Sequence, residues 1–302
     1  AGDPAASAAG LAARWSLGET RRYVYTQQVV ESSGAAESID SAQERKGTMR
    51  LGVRLLALDL ASVPKDLNAE FLSKLESEKP TAAFALTLDT LRFTAVRPDG
   101  TEFVFDSADP EQSKADNPFA PSVVPLVGVT VVMAINAEGR IVAATGYEDF
   151  IVISSPTSRL AIQLIEPTSM GVKFAPAFGF HAAAARAEVG ATWVQDRSVP
   201  YVPGIVLEVS DACTTEKIAD GQASIAWKGT PRLRIPNPER LGTREIKRSE
   251  FSATTIWDLT RGALSRHDSV MFTEVELNAV NNEPGSTGIV RSRTESSLVA
   301  EE

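Results

Sequence analysis

Val129-Thr-Val-Val-Met-Ala-Ile135 runs into Asn136-Ala-Glu-Gly139 and out again through Arg140-Ile-Val-Ala-Ala144. Val129, Val131, Met133 and Ile135 alternate along the first arm, the two-residue period of a strand with one buried face. Asn136 and Gly139 are turn residues, and Gly139 suits the positive-φ position that closes the turn. The stretch therefore predicts a β-hairpin. Working outward from it, the same signal recurs across the chain. Tyr23, Tyr25, Gln27 and Val29 share one face of a strand, with Arg22, Val24, Thr26 and Gln28 on the other. Arg50–Leu60 and Ala83–Val96 are further apolar runs, and Pro98-Asp-Gly-Thr101 turns the latter into Glu102–Asp106 as a hairpin. Beyond residue 190 strands are predicted over Trp193–Val202, Ile205–Ser210, Ala223–Trp227 (reached through Asp220-Gly221), Ser249–Asp258 and Ser265–Leu277, the last two joined around Arg261-Gly262. Ile289–Val299 reads as a final edge strand, its Arg291, Arg293 and Glu295 alternating on one face as charges that discourage unwanted pairing.

Helical signals are few. Over Asp66–Glu78, Leu67, Phe71, Leu72 and Leu75 share a face, Glu70 and Lys74 form an i,i+4 pair, and Pro80 ends the segment. Weaker helical patterns cover Thr157–Ile165 and Phe178–Glu188, and Phe119–Leu126 is a short helical crossing limited by its prolines. The fold class expected is mainly β with a few short helices (α+β), in two related, curved, antiparallel halves. The organisation expected is an N-terminal tail over 1–14, a first β-rich half over 15–150, a helical connection over 151–187 and a second β-rich half over 188–302 ending in the edge strand.

The two halves are read as related because each opens in the same way. Trp15-Ser-Leu-Gly-Glu-Thr20 steps into the first through Gly-x-Thr, and Glu188-Val-Gly-Ala-Thr-Trp193 steps into the second through Gly-x-Thr with a Trp beside it. Each half also closes on a hairpin, Val129–Ile135 with Arg140–Gly146 and Thr254–Asp258 with Ala263–Val270. These short motifs, Leu17-Gly-Glu-Thr20, the Gly128–Gly139 hairpin arm and Val189-Gly-Ala-Thr-Trp193, resemble an uncharacterised family, a domain of unknown function, of secreted and often lipid-anchored β-rich bacterial proteins. The resemblance spans residues 15–299. It implies a fold like the half-barrel sheets of periplasmic lipoprotein carriers and supplies no catalytic residues. The lipidation cysteine usual in that family is absent from this chain.

Composition narrows the function classes. Of 302 residues, 43% are hydrophobic and 23% charged, so packed cores are expected. The apolar run around Val123–Ile135 is interrupted by Pro125, Gly128 and Thr130 and falls short of a membrane helix. A net charge of −9, with a basic stretch over Arg244–Arg248 diluted by Glu245 and Glu250, argues against nucleic acid as a partner. The small-residue start at Ala1 reads as a signal-peptidase product, hence an exported protein, periplasmic, envelope-associated or extracellular. Cys213 is the single cysteine, which rules out an intrachain disulfide.

No constellation for catalysis emerges. His267 and Asp268 are neighbours in a strand and point to opposite faces; His181 leads an alanine run; Cys213 has no histidine or cation beside it in sequence. No cofactor is implied, and two histidines with one cysteine do not make a zinc site. The one oxygen-rich cluster, Asp106, Asp109, Glu111 and Asp116 with Asn117, is the only metal candidate, for calcium. Trp15, Trp193, Trp227 and Trp257 are read as core residues or as the lining of an apolar cavity. The function expected is a non-catalytic structural or assembly subunit with protein partners, its tails 1–10 and 281–287 held by a neighbour. The alternative is a binder or carrier of an apolar, lipid-like ligand in a half-barrel cavity, and a carboxylate-only enzyme ranks third.

Overall fold

The structure is a computed structural model that describes residues 11–35, 39, 42, 44–63, 69–96, 99–112, 120–137, 139–151, 164–180, 185–202, 205–234, 244–277 and 288–301. The segments 1–10, 157–163 and 281–287, His181, Asp116 and Asn117, each singled out above, lie outside the described residues.

The chain is mainly β, and its strands join into one antiparallel sheet rather than two. In chain order they are β1 (Thr20–Ala35), β2 (Glu44–Leu58), β3 (Ala82–Val96), β4 (Glu102–Asp106), β5 (Thr130–Ile135), β6 (Ile141–Thr145), β7 (Thr192–Val202), β8 (Ile205–Ala219), β9 (Gln222–Arg234), β10 (Arg244–Asp258), β11 (Ala263–Leu277) and β12 (Gly288–Glu301). Across the sheet the order is β6-β5-β3-β2-β1-β12-β11-β10-β9-β8-β7, with β4 beside the far end of β3. The helices are α1 (Ala69–Glu78), α2 (Ala120–Val123), α3 (Glu148–Ile151) and α4 (Pro167–Phe174). Among the described residues no helix is long and apolar enough to cross a membrane.

The C-terminal strand is not an edge. β12 lies in the middle of the sheet, paired along its whole length with β1 on one side and from Gly288 to Val299 with β11 on the other. Its alternating charges are satisfied within the sheet: Arg291 reaches Glu274 on β11 at 2.6 Å, and Arg293 holds Glu295 at 2.7 Å. Local pattern signals a solvated strand face, and both an edge strand and the outer face of a central strand fit that description.

One face of the sheet is packed and will be called inner. Tyr23, Leu51, Leu55, Leu86, Met133, Ile225, Trp257 and Leu298 all belong to a single buried cluster on it. α4 closes the arrangement by touching both β6 and β7, the two ends of the strand order, so the sheet is rolled around it. Glu166 caps α4 by accepting the Ser169 N–H, and Pro167 sits at its first position, where a missing N–H costs nothing. The helix expected over Phe178–Glu188 is absent from the described part of that span. Gly179 turns the chain at φ 86, forms a bridge with Ala12, and leaves no room for a Cβ beside Leu11 and Ala13.

That bridge also corrects the expected tail. Leu11 is fully buried, its carbonyl accepts the Phe180 N–H at 3.0 Å, and the Arg14 N–H reaches the Gly262 carbonyl at 2.9 Å. Residues 11–14 are thus part of the packed roll. On the outer face, α1 buries Phe71 against Ala83, Ala134 and Ala143, which is why both faces of β5 are apolar.

A shift of six places along the strand order carries β7, β8, β9, β10 and β11 onto β1, β2, β3, β5 and β6. The two strand starts match in detail. The Gly18 N–H donates to the Ala57 carbonyl and the Ala57 N–H to Glu19; the Gly190 N–H donates to the Thr215 carbonyl and the Thr215 N–H to Ala191. Both glycines hold positive φ, 77 and 86.

Candidate functional site

The inner face is filled at one end of the strands and changes character toward the other. At the filled end Phe180 packs among Trp193, Trp227 and Trp257, and Phe178 lies 5.1 Å from Phe84, which in turn meets Trp15 at 4.9 Å. The tryptophans therefore plug the roll. Trp227 continues into a polar chain: its Nε1–H donates to Thr255 Oγ1 at 2.9 Å, and Thr255 Oγ1 lies 2.8 Å from His267 Nδ1. The indole can only donate, so Thr255 Oγ1 is an acceptor for Trp227 and links it to the imidazole. Burial, reinforced by the Arg197 charge, pushes the His267 pKa down to about 3. Asp268, as its neighbour in a strand, faces outward and pairs with Arg266 at 2.6 Å.

Further along the strands the pairing register sets one inner-face row running from β1 to β8: Val29, Thr294, Met271, Phe251, Gly229, Asp211. Met49 and Phe93 stand opposite each other beside it, and Phe93 stacks on Phe105 with centroids 5.6 Å apart. Val29, Met49, Phe93, Met271 and Thr294 are only half-buried, although Tyr25, Leu51, Leu91 and Leu298 on the same strands are sealed toward the filled end, and on β11 Thr273 and Val275 are sealed on the other side of Met271. The row ends at an ion pair. Asp211 is fully buried, and its Oδ2 accepts from Arg197 Nε at 2.5 Å, while the guanidinium lies 3.8 Å above the Phe251 ring. Burial raises the Asp211 carboxyl above its ordinary value despite the attraction of Arg197. Asp211 Oδ1 and Arg197 Nη2 are buried and have no hydrogen-bond partner among the described residues.

Gly229 is what admits the carboxylate. A Cβ there would overlap Asp211 Oδ1 and come within 2.9 Å of Val209 Cγ1. Cys213, two residues on, is buried, and its thiol is pushed up to about 12, first by burial and then by Asp211. None of the Arg197–Asp211–Phe251 constellation was foreseen from sequence. The available signal was an isolated glycine inside a strand, which marks a close approach of another group.

Two other places bear on the expectations. Asp106 and Asp109, the described calcium candidates in the turn after β4, use their carboxylates locally: Asp106 Oδ1 accepts the Ala108 N–H and Asp109 Oδ1 the Glu111 N–H, each at 2.9 Å. Glu111 follows in the same turn, and Asp116 lies outside the described residues; among those described, no three His, Cys, Asp or Glu groups converge on a metal position. On the outer face a groove of about 850 Å³ crosses β8–β12, lined by Lys228, Arg232, Arg248, Glu250, Phe272 and Arg293 among others. Its cations are partly neutralised on the spot, Arg248 by Glu250 at 2.7 Å and Arg293 by Glu295.

No protein-family model matches the chain, and no curated protein does. Among solved structures, one of lipid–protein interactions in lipovitellin is similar over 96% of this chain at 9% identity, with a TM-score of 0.50. This chain spans 26% of that one, about a quarter of its length. The S-type phycobiliprotein lyase CPES from Guillardia theta aligns over 95% of this chain and 89% of its own at 10% identity, but with a TM-score of 0.21. The lipovitellin likeness is one of fold alone.

Proposed function

We propose that this chain binds an apolar, lipid-like ligand inside the roll of its sheet. The observation that carries the reading is the mismatch between the inner face and its cover. β1 has 16 residues, roughly 50 Å of strand at about 3.4 Å per residue. α4 has 8, about 12 Å of helix. The described cover, α4 with the segments around Ala120–Leu126 and 175–180, seals one end of the strands and reaches Met271 on β11, whereas Val29, Met49 and Phe93 on β1–β3 form a half-buried apolar wall. A wall of that kind, with few and localised polar groups, suits an apolar guest. The likeness to the lipovitellin structure, whose description concerns lipid–protein interactions, supports the same reading.

Binding rather than catalysis is part of the proposal, since the inner-face histidine and thiol are displaced from the range where an acid, base or nucleophile works near neutrality. We also read the matched strand starts and the six-place correspondence as the trace of a duplicated unit. Assembly with protein partners is the second reading. It loses its edge strand, because β12 is internal, and retains the charged outer groove as a surface for a partner.

Native mass spectrometry on protein purified without detergent separates the two. A monomer carrying an extractable lipid-sized adduct is the expected result. A discrete oligomer without an adduct favours assembly, and a bare monomer that also fails to take up a neutral apolar fluorophore overturns the binding proposal.

A further inference from the structure

We infer that Arg197 anchors the polar end of the ligand, which makes that ligand a single-chain amphiphile with an anionic oxygen head. The inference rests on the binding proposal above and adds the ligand's class to it.

Arg197 occupies an inner-face position on β7, directly opposite Val209 on β8. Val209 belongs to a small apolar cluster with Leu207, against which Val172 of α4 and Met271 of β11 pack. A guanidinium in that setting is held by design of its surroundings. Nε is committed to Asp211, the plane lies over Phe251, and the side chain keeps 22% of its exposure, so the group is fixed yet reachable. Its Nη2 is buried and has no partner among the described residues. The ion pair and the ring fix the orientation of the fork and leave the Nη2 donor unsatisfied, a demand that an oxygen acceptor brought to the partly exposed guanidinium would meet. A planar, pre-oriented guanidinium is better suited than an ammonium to receive a carboxylate or phosphate through two parallel bonds.

The position of the fork relative to the apolar row defines the shape of the guest. Phe251, under the guanidinium, is paired with Met271, then Thr294, then Val29. These residues are successive neighbours across strands, spaced about 4.8 Å apart. An alkyl chain whose head meets Arg197 can lie along Phe251, Met271 and Thr294 to Val29, three strand spacings or roughly 14 Å. That is much of the length of a fatty chain of ordinary size. The outer groove, which also carries cations, offers no such apolar track.

The test uses the full chain and four ligands below their micellar concentrations: oleate, oleyl phosphate, oleyl alcohol and methyl oleate. Affinity is read by displacement of a neutral apolar fluorophore. Wild type is expected to bind oleate or oleyl phosphate roughly 10- to 100-fold more tightly than the alcohol or ester, the range of one charge-assisted hydrogen-bond pair, and the preferred member of the two identifies the head. In Arg197→Met with Asp211→Asn, made together so that no unpaired buried charge remains, the preference is expected to fall below about 3-fold while alcohol affinity is retained. Arg197→Lys, which keeps the charge and disturbs folding least, is expected to lose part of the preference. Equal binding of acid and alcohol by wild type, or an anion preference that survives in both variants, overturns the Arg197 assignment and leaves the binding proposal standing. Failure of the fluorophore and all four ligands to bind removes both.

Discussion

Substituting Gly229 by alanine is expected to cost about 3 kcal/mol, and the size of that figure comes from one carboxylate. The added methyl would overlap Asp211 Oδ1, an atom of a fully buried side chain, and would stand 2.9 Å from Val209 Cγ1. Asp211 can yield only by swinging away from Gly229, which breaks its 2.5 Å contact with Arg197. Breaking a buried pair costs about 3–5 kcal/mol; the lower end applies because Arg197 is partly exposed and regains some hydration. The assay is urea unfolding of wild type, Gly229→Ala, Asp211→Ala and the double variant. With the carboxylate gone, the space it filled accepts the methyl, so the second substitution should cost less than about 1 kcal/mol and the coupling should be about 2 kcal/mol. Additivity within about 0.5 kcal/mol would show that Gly229 is required by something other than Asp211 and would refute the reasoning.

Acid should expose His267. Its folded pKa, about 3, lies below the ordinary imidazole value of 6.5, so its contribution is complete above that value and is lost as the pH falls from 6.5 toward 3. At about pH 5 the loss is about 2 kcal/mol, from about 1.4 kcal/mol per unit, and His267→Gln should be less acid-sensitive than wild type by that amount in paired urea titrations at pH 7.5 and 5; equal sensitivity of the two proteins would place the imidazole in water. Leu11→Ala should destabilise the chain by about 2–5 kcal/mol, since Leu11 is fully buried against Gly179 and Phe180, whereas a dispensable tail residue would change the unfolding midpoint hardly at all. Cys213, buried with its thiol raised to about 12, should resist a thiol-specific disulfide reagent in the native state at pH 8 and react fully once urea unfolds the chain; rapid native labelling would contradict its burial.

Strand identity was legible because it is written locally. The alternation at Tyr23 and Tyr25, the Asn136–Gly139 turn and the Asp220-Gly221 turn each specify a hairpin arm by themselves, and in the fold Asp220 and Gly221 take φ 51 and 74, the pair of positive values a tight hairpin turn demands. The place of a strand in the sheet is not local. Ser292, Thr294 and Ser296 face inward and Arg291, Arg293 and Glu295 outward on β12, a pattern that a half-solvated strand shows wherever it sits, and only the register with Val29 and Met271 puts it in the middle. The number of sheets followed from the same gap: two hairpin series read alike whether they close separately or meet along β1 and β12.

The site was hidden for a related reason. Arg197 and Asp211 are two charged residues in strands that look amphipathic, and a sequence reading assigns such residues to water. Pro200 and the masking effect of a mixed polar run make β7 appear solvated, yet Arg197 pairs opposite Val209 and so is committed to the inner face by register alone. Once it is there, the cost of a buried guanidinium must be offset within reach, and the chain does so with Asp211 on β8, the Phe251 ring on β10 and the bare Cα of Gly229 on β9. Three strands are thereby adapted to one side chain. An interior that needed only packing would use a leucine at position 197 and a side chain at 229. Keeping an arginine with an unsatisfied Nη2 donor on an apolar wall makes physical sense when something with an oxygen acceptor and an apolar body comes to meet it.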